Sequence, residues 1–125
     1  MRSILFKAKK LSDVKWVKGS LVKTPFGTFI EWYEDSICNK REVDTDTVCQ
    51  STGLKDCEGK EIWEGDMLSN VTNDSPDGIV VFKYGAFSLS AKNGRDFCVA
   101  LTYLLSEKDS LNRFKVVGNK FDKEK

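Results

Sequence analysis

The sequence contains no histidine, and this absence excludes several kinds of active site. Imidazole exchanges protons and donates nitrogen near neutral pH, so neither a Ser-His-Asp nor a Cys-His nucleophile can be assembled. A zinc site that requires imidazole is excluded for the same reason. The four cysteines are Cys38, Cys49, Cys57 and Cys98. They form no C-x-x-C pair and their spacing resembles no zinc knuckle, so a zinc site built from thiolates alone is disfavoured.

Long apolar runs and phosphate-binding loops are also missing. No stretch approaches the length of a membrane span, and the start, MRSILFKAKK, carries charges where a secretion signal needs an apolar core. We therefore expect a cytoplasmic protein with reduced thiols. Neither G-x-x-x-x-G-K-[ST] nor G-x-G-x-x-G occurs, and a calcium loop with Gly59 at its sixth position would begin at Leu54, which offers no side-chain oxygen. The sequence predicts no catalytic, cofactor or metal site.

Acidic and basic residues are nearly balanced in number but unevenly distributed. The 20 Lys and Arg against 19 Asp and Glu give a net charge of +1, so the whole molecule has no long-range attraction to nucleic acid. Residues 1–23 hold seven basic and one acidic residue, a local charge of +6, whereas residues 24–69 hold four basic and eleven acidic residues, a local charge of −7. Two solvated faces of one domain explain this pattern; the alternative is attraction between these segments in different copies.

The chain is the size of one domain and consists mostly of short β-like runs separated by turn residues. The hairpin signal Pro25-Phe26-Gly27 joins two of these runs, Ser75-Pro76-Asp77-Gly78 predicts another turn, and the polar stretch 34–42 is predicted to be a loop. The predicted strands are residues 3–8, 16–22, 28–33, 60–63, 67–71, 79–84, 86–91 and 114–119.

These patterns predict a mainly β fold, a small barrel-like arrangement of short antiparallel strands with at most one short helix. The stretch 64–68 followed by 78–81 has the rhythm of an SH3-like barrel. We expect a single domain, 1–125, in which N-terminal strands, 1–45, pack on a barrel-like part, 46–121.

Residues 97–105 fit two structures. Apolar residues recur there at helical spacing behind Asp96 as an N-cap, which favours a short helix. Alternatively, Asn93-Gly94 closes a two-residue hairpin that pairs Leu89 with Cys98.

The segment from Cys49 to Leu68 is the densest in turn signals. Gly53 can take a positive φ, Asp56 to Gly59 suits a type I turn, and residues 64–66 form a second bend. Carboxylates beside turn glycines usually bind nearby backbone amides, so Asp56 and Asp66 are interpreted as structural, with Leu54, Ile62 and Met67 pointing inward. A hydrolase that uses Asp56, Glu58 or Asp66 is the catalytic alternative.

Basic residues surround two aromatic side chains near the start of the chain, as in proteins that bind single-stranded nucleic acid. Phe6 and Trp16 are equally suitable as core residues of their strands. The candidate nucleic-acid contacts are Lys7, Lys9, Lys10, Lys15 and Lys18.

The central segment TVCQSTGLKD, followed by EGKEIWEGD, resembles the signature of the YopX-like family of phage and prophage proteins. The start, ILFKA, and the end, FKVVGN, resemble the opening and closing motifs of the same family. Trp63 stands where that family commonly has tyrosine, and the chain continues as Lys120-Phe121-Asp122 where the family tends to have I-Y-E-N-P-E. The motif residues, interpreted as structural, are Thr47, Gln50, Thr52, Gly53, Leu54, Asp56, Gly59, Ile62, Trp63, Glu64, Gly65, Asp66, Gly118 and Asn119.

The resemblance implies a small, mainly β protein that is carried by a phage or prophage and self-associates, with no known catalytic activity or cofactor. We therefore expect an accessory protein in the cytoplasm of a bacterial host that binds an unknown host or phage protein as a homo-oligomer. The alternative is a small β-barrel protein that binds nucleic acid.

Overall fold

A computed structural model describes residues 4–70, 78–83, 85–91, 98–100 and 114–122, and these residues are almost entirely β. The prediction of a mainly β fold is confirmed. Among the described residues there is no α-helix, only single 3-10 turns at Thr45–Thr47 and Lys120–Asp122. No helix in this part of the chain is long and apolar enough to cross a membrane.

Eleven strands form two antiparallel sheets, ordered β4, β3, β2, β1, β5, β6 in the first and β10, β9, β8, β7, β11 in the second. The strands are β1 Phe6–Lys9, β2 Trp16–Thr24, β3 Gly27–Glu34, β4 Ile37–Glu42, β5 Cys49–Lys55, β6 Glu61–Trp63, β7 Asp66–Asn70, β8 Gly78–Lys83, β9 Ala86–Ala91, β10 Cys98–Ala100 and β11 Phe114–Asn119.

The first sheet curls because β2 changes partner along its length. Its first half pairs with β1, from Lys9↔Trp16 to Phe6↔Gly19, and its second half pairs with β3 from Ser20 onward. Beyond the end of β1, Lys10 forms an isolated antiparallel bridge with Val43, which follows β4. The sheet is therefore barrel-like in its curvature, but its ladders do not close into a barrel.

The second sheet contains the predicted hairpin of β8 and β9, which turn at Gly85 with a φ of 82°. The last strand, β11, pairs with β7, and its register shifts between Val116 and Gly118. The predicted turn at Ser75-Pro76-Asp77 lies outside the described residues.

The prediction of a loop at 34–42 was wrong, because Ile37 to Glu42 form β4 and pair with β3. Asp35 and Ser36 make the connecting turn, both with positive φ, 52° and 68°. The strand is polar because it lies at the edge of the sheet with nearly all its side chains exposed. An edge strand without a buried face has no apolar alternation by which to be recognised.

The preference for a helix at 97–105 was wrong at Cys98–Ala100, which form β10. Cys98 pairs with Ser90 and Ala100 with Ser88, one residue away from the register of the alternative hairpin. Pairing with β9 therefore overrides the helical spacing there. The remaining residues of both predictions, 92–97 and 101–105, lie outside the described part of the chain.

The chain divides into two compact units, Met1–Ser51 and Thr52–Lys125, and each has its own apolar core. The core of the first unit is Ala8, Ile30 and Val43, with partly buried side chains packed around it: Phe6, Val17, Leu21, Trp32 and Val48. The core of the second unit is Ile62, Leu68 and Val80, surrounded by Leu54, Phe87, Leu89, Phe114 and Val116.

Candidate functional site

The turn between β5 and β6 is built around the carboxylate of Asp56, which is only 6% exposed. One oxygen, Oδ1, accepts hydrogen bonds from the backbone amides of Glu58 at 2.9 Å and Lys60 at 2.8 Å. The other, Oδ2, accepts from the amide of Val116 in β11 at 2.8 Å. The Gly59 amide donates to the Asp56 carbonyl at 3.0 Å, and Gly59 has a φ of 81°, as the predicted turn requires.

The turn between β6 and β7 is built in the same way around Asp66, which is 2% exposed. Its Oδ2 accepts from the amide of Trp63 at 2.7 Å, and its Oδ1 accepts from Nδ2 of Asn119 at 2.9 Å. The Asn119 amide also donates to the Glu64 carbonyl at 3.3 Å, and its Oδ1 accepts from the amide of Phe121 at 3.0 Å. The central and closing motifs are therefore joined by one buried hydrogen-bond network.

Backbone contacts reinforce this junction. The amide of Gly65 donates to the Val80 carbonyl at 2.7 Å, and the amide of Lys120 donates to the Gly65 carbonyl at 2.9 Å. At the other turn, the amide of Cys57 donates to the Phe114 carbonyl at 3.0 Å. Donors from the chain itself thus bind the carboxylates of Asp56 and Asp66, as is usual for carboxylates that stabilise turns.

The other motif residues also have structural contacts. The Thr52 hydroxyl donates to the Ile62 carbonyl at 2.8 Å and accepts from the Leu54 amide at 3.1 Å. The Thr47 hydroxyl accepts from the Lys9 amide at 2.9 Å and donates to the Asp44 carbonyl at 2.8 Å. The remaining members have positions in the ladders, the turns or the core: Gln50 opposite Phe6, Gly53 with a φ of 80°, Leu54 and Ile62 in the second core, Trp63 buried, Glu64 half-buried in the turn and Gly118 beside Met67.

One inward-facing prediction was wrong. Met67 is half-buried and stands outside the core cluster, whereas its neighbour Leu68 is completely buried within it. Consecutive strand residues point to opposite faces, and the core cluster lies on the face of Leu68. The sequence left this open, because Met67 and Leu68 are both apolar.

Within the described residues, no three cysteine or acidic side chains group as a metal site would require. Cys38 is exposed, Cys57 is half-buried, and the buried Cys49 thiol donates to the Thr47 carbonyl at 3.3 Å. The side chain of Cys98 lies outside the described part.

The five candidate lysines separate into two groups. The register pairs Lys7 with Lys18 and Lys9 with Trp16, so all four side chains lie on the face of the sheet opposite the core residues Ala8 and Val17. The Nζ atoms of Lys7 and Lys9 lie 4.5 Å and 5.4 Å from the centre of the Trp16 ring. We call these four residues the lysine–tryptophan face.

Lys10 and Lys15 belong to the connection between β1 and β2. The Lys10 ammonium lies 3.1 Å from Oδ2 of Asp13, and the Lys15 amide donates to Oδ1 of Asp13 at 3.1 Å. The amide of Lys15, followed by the Lys10 side chain, lowers the pKa of Asp13 below its ordinary value of 3.8. These two lysines therefore stabilise a local turn.

The sequence allowed Phe6 and Trp16 to be either core residues or nucleic-acid contacts, and the structure places them differently. Phe6 packs against the core of the first unit, whereas Trp16 lies under lysine side chains on the opposite face. Alternation in β2 carried the signal for this, since Val17 and Leu21 share one parity and Trp16 and Lys18 share the other.

The opening, central and closing motifs thus occupy adjoining strands within their units, and the whole-chain comparison agrees with them. A family model described as YopX protein matches residues 5–124. The chain belongs to the YopX family. The matched residues include both carboxylate-centred turns and β11, which binds the first turn through the Val116 amide and the second through Asn119. A comparison with curated proteins gives no match.

Proposed function

We propose that this YopX protein is a small phage- or prophage-encoded accessory protein that acts without catalysis, by binding another protein as a homo-oligomer. The observation that carries the proposal is the exposed hairpin of β3 and β4. Tyr33 is 70% exposed and Ile37 is 64% exposed beside the turn that joins these strands. Tyr33 pairs with Cys38 and Ile37 pairs with Glu34, so the two side chains lie on opposite faces of the hairpin. A large exposed apolar side chain on each face of one hairpin end favours a contact with protein.

The position of β4 supports the same proposal. It ends the strand order of the first sheet, and within the described residues no strand pairs with its outer edge. An open edge offers a row of backbone donors and acceptors to an added strand. The exposed side chains Lys40, Arg41 and Glu42 carry charge along this edge, which restricts pairing to a partner with matching charges.

The acidic residues give no comparable support to the hydrolase alternative. Asp56 and Asp66 are buried and bind amide donors, and the exposed Glu58 lies at the turn with only its backbone amide in the hydrogen-bond network. A general acid or base must reach a substrate proton, and a carboxylate enclosed by its own chain is poorly placed to do so.

Light scattering coupled to size-exclusion chromatography tests the self-association. We expect a mass that is a multiple of 14.2 kDa at low salt and decreases toward the monomer at high salt, because charged segments of opposite sign contribute to the contact. The double substitution Tyr33→Ser and Ile37→Ser should shift the protein toward the monomer. Phe26→Ser is the matched control, since Phe26 is 88% exposed but lies in a different turn.

A strictly monomeric protein at low salt and high concentration contradicts the homo-oligomer. Purification of the tagged protein from host cells that express the surrounding phage genes tests the partner. We expect a host or phage protein to be recovered with the wild type and with Phe26→Ser but not with the double variant. Equal recovery with all three proteins contradicts the assignment of the contact to this hairpin.

A further inference from the structure

The lysine–tryptophan face concentrates positive charge on one side of two neighbouring strands. Lys7 and Lys18 are directly opposite each other in the ladder, and Lys9 follows Lys7 on the same face. Several ammonium groups on one face of a sheet attract anionic ligands to it.

The centre of the Trp16 ring lies 4.5 Å from Lys7 Nζ and 5.4 Å from Lys9 Nζ. Cation–π attraction holds the two lysine side chains over the ring and partly offsets their repulsion. The indole is half-buried and Lys18 is exposed, so the face remains open to solvent in part. It presents an aromatic ring and three lysine side chains together.

An anionic ligand with flat, unpaired rings has the chemistry that complements such a face. Single-stranded nucleic acid is bound where lysines follow the phosphates and an aromatic side chain stacks on a base. In a duplex the bases are already stacked on one another, and a single indole on a sheet has no access to their faces. An acidic polypeptide would match the charge but would leave the indole without a stacking partner.

We propose that the lysine–tryptophan face binds single-stranded nucleic acid. Lys7, Lys9 and Lys18 contact phosphate oxygens, and Trp16 stacks on one base. The ammonium groups that lie over the indole exchange this contact for phosphates on binding. Because the net charge of the chain is only +1, the binding is local, weak and strongly reduced by salt.

Fluorescence anisotropy of a labelled oligothymidylate, compared with a duplex of the same length, tests the proposal. We expect the single strand to bind more tightly at low salt. The triple substitution Lys7→Gln, Lys9→Gln and Lys18→Gln should weaken binding below the limit of measurement. If binding is still measurable, the slope of log K against log salt concentration should become shallower by about 2. Trp16→Leu should weaken binding by roughly tenfold, whereas Trp16→Phe retains a stacking ring and most of the affinity.

The matched control is Lys23→Gln, Lys55→Gln and Lys60→Gln, which removes the same charge from exposed lysines outside the face. Binding should persist in this variant. The triple change to arginine at Lys7, Lys9 and Lys18 keeps the charge and should also bind. Thermal unfolding confirms that each variant is folded before its affinity is interpreted.

Three results would overturn the proposal. The first is the absence of any anisotropy change at low salt, and the second is an equal loss of binding in the two lysine-to-glutamine triples. The third comes from competition with polyglutamate. If polyglutamate binds as tightly as oligothymidylate and Trp16→Leu affects neither, the face is a site for acidic polypeptides.

Discussion

Asp66 and Asn119 are 53 residues apart in the sequence, yet their side chains share a buried hydrogen bond. Asp66 also accepts from Trp63, and Asn119 also contacts the backbone of Glu64 and Phe121. Each side chain therefore fixes a turn near itself and a strand far away in sequence. Losing either one leaves a buried polar partner without its hydrogen bond, which costs more than the bond itself contributes.

A double-mutant cycle on this pair tests the interpretation. Asp66→Ala should lower the free energy of unfolding by about 3 kcal/mol, because it removes the acceptor of two buried donors. The two alanine substitutions together should cost less than the sum of the single ones, with a coupling of about 1 kcal/mol. Urea denaturation measures all four proteins.

Glu58→Ala is the control for this double-mutant cycle. Glu58 is exposed, and it is its backbone amide, not its side chain, that donates to Asp56. It should change the unfolding free energy by less than about 0.5 kcal/mol. Additive effects at Asp66 and Asn119 would contradict the shared network and indicate two independent turns.

Among the elements, β2 decides the curvature of the first sheet. Gly19 is its last residue paired with β1, and Ser20 is its first residue paired with β3. A Cβ atom at Gly19 would lie 2.2 Å from the Glu31 carbonyl oxygen and 3.1 Å from the Trp32 Cβ. The strands can approach this closely only because no side chain intervenes.

Gly19→Ala should therefore destabilise the protein by about 3 kcal/mol, because the clash is with backbone that must shift. Gly59→Ala is the comparison, since Gly59 has a φ of 81° but open space around its Cα. Only the left-handed conformation is unfavourable there, at about 1–2 kcal/mol. Urea denaturation compares the two variants, and an effect of Gly19→Ala no larger than that of Gly59→Ala would contradict the close packing.

The exposed hairpin of β3 and β4 is the second element that bears on function. Its turn consists of two non-glycine residues with positive φ. At the end of β3, hydrogen bonding with the Cys38 side chain raises the pKa of Tyr33 above its ordinary value of 10.0. Tyr33 is therefore uncharged at neutral pH. An uncharged, exposed aromatic side chain at the end of this hairpin is suited to the contact that we propose for it.

At the scale of the whole molecule, two compact units each bury a separate apolar cluster, and β5 begins in one unit and ends in the other. The chain has a net charge of +1 and no histidine. No side chain with an unperturbed pKa between about 5 and 8 is therefore present to alter contacts near neutral pH.

The proposed self-association should consequently be insensitive to pH between about 5.5 and 7.5 while it remains sensitive to salt. Light scattering at both pH values should give the same mass at a fixed low salt concentration. Dissociation within this interval would contradict the expectation and would indicate a carboxylate or thiol at the contact with an unusual pKa.

Local chemistry in the sequence was enough to predict much of the architecture. Turn residues identified the hairpin at Pro25-Phe26-Gly27 and the turn from Asp56 to Gly59, and the β-rich runs between turn signals identified β2, β3, β8, β9 and β11. The structural role of the central segment was predicted for the same reason, since an aspartate and a glycine at fixed spacing act on amides within a few residues.

The sequence by itself thus determined the β class, the turns at Pro25-Phe26-Gly27 and from Asp56 to Gly59, and the family. The class and these turns depend on residues close together along the chain, and the family was identified from three separate motifs in order. Only the tertiary structure decided that the polar residues 37–42 form an edge strand, that Asp66 binds Asn119, and that Trp16 faces lysines. Those features depend on which distant strands meet and on which face of a sheet becomes buried. Neither is encoded in local propensity, so both follow only from the packing of the chain.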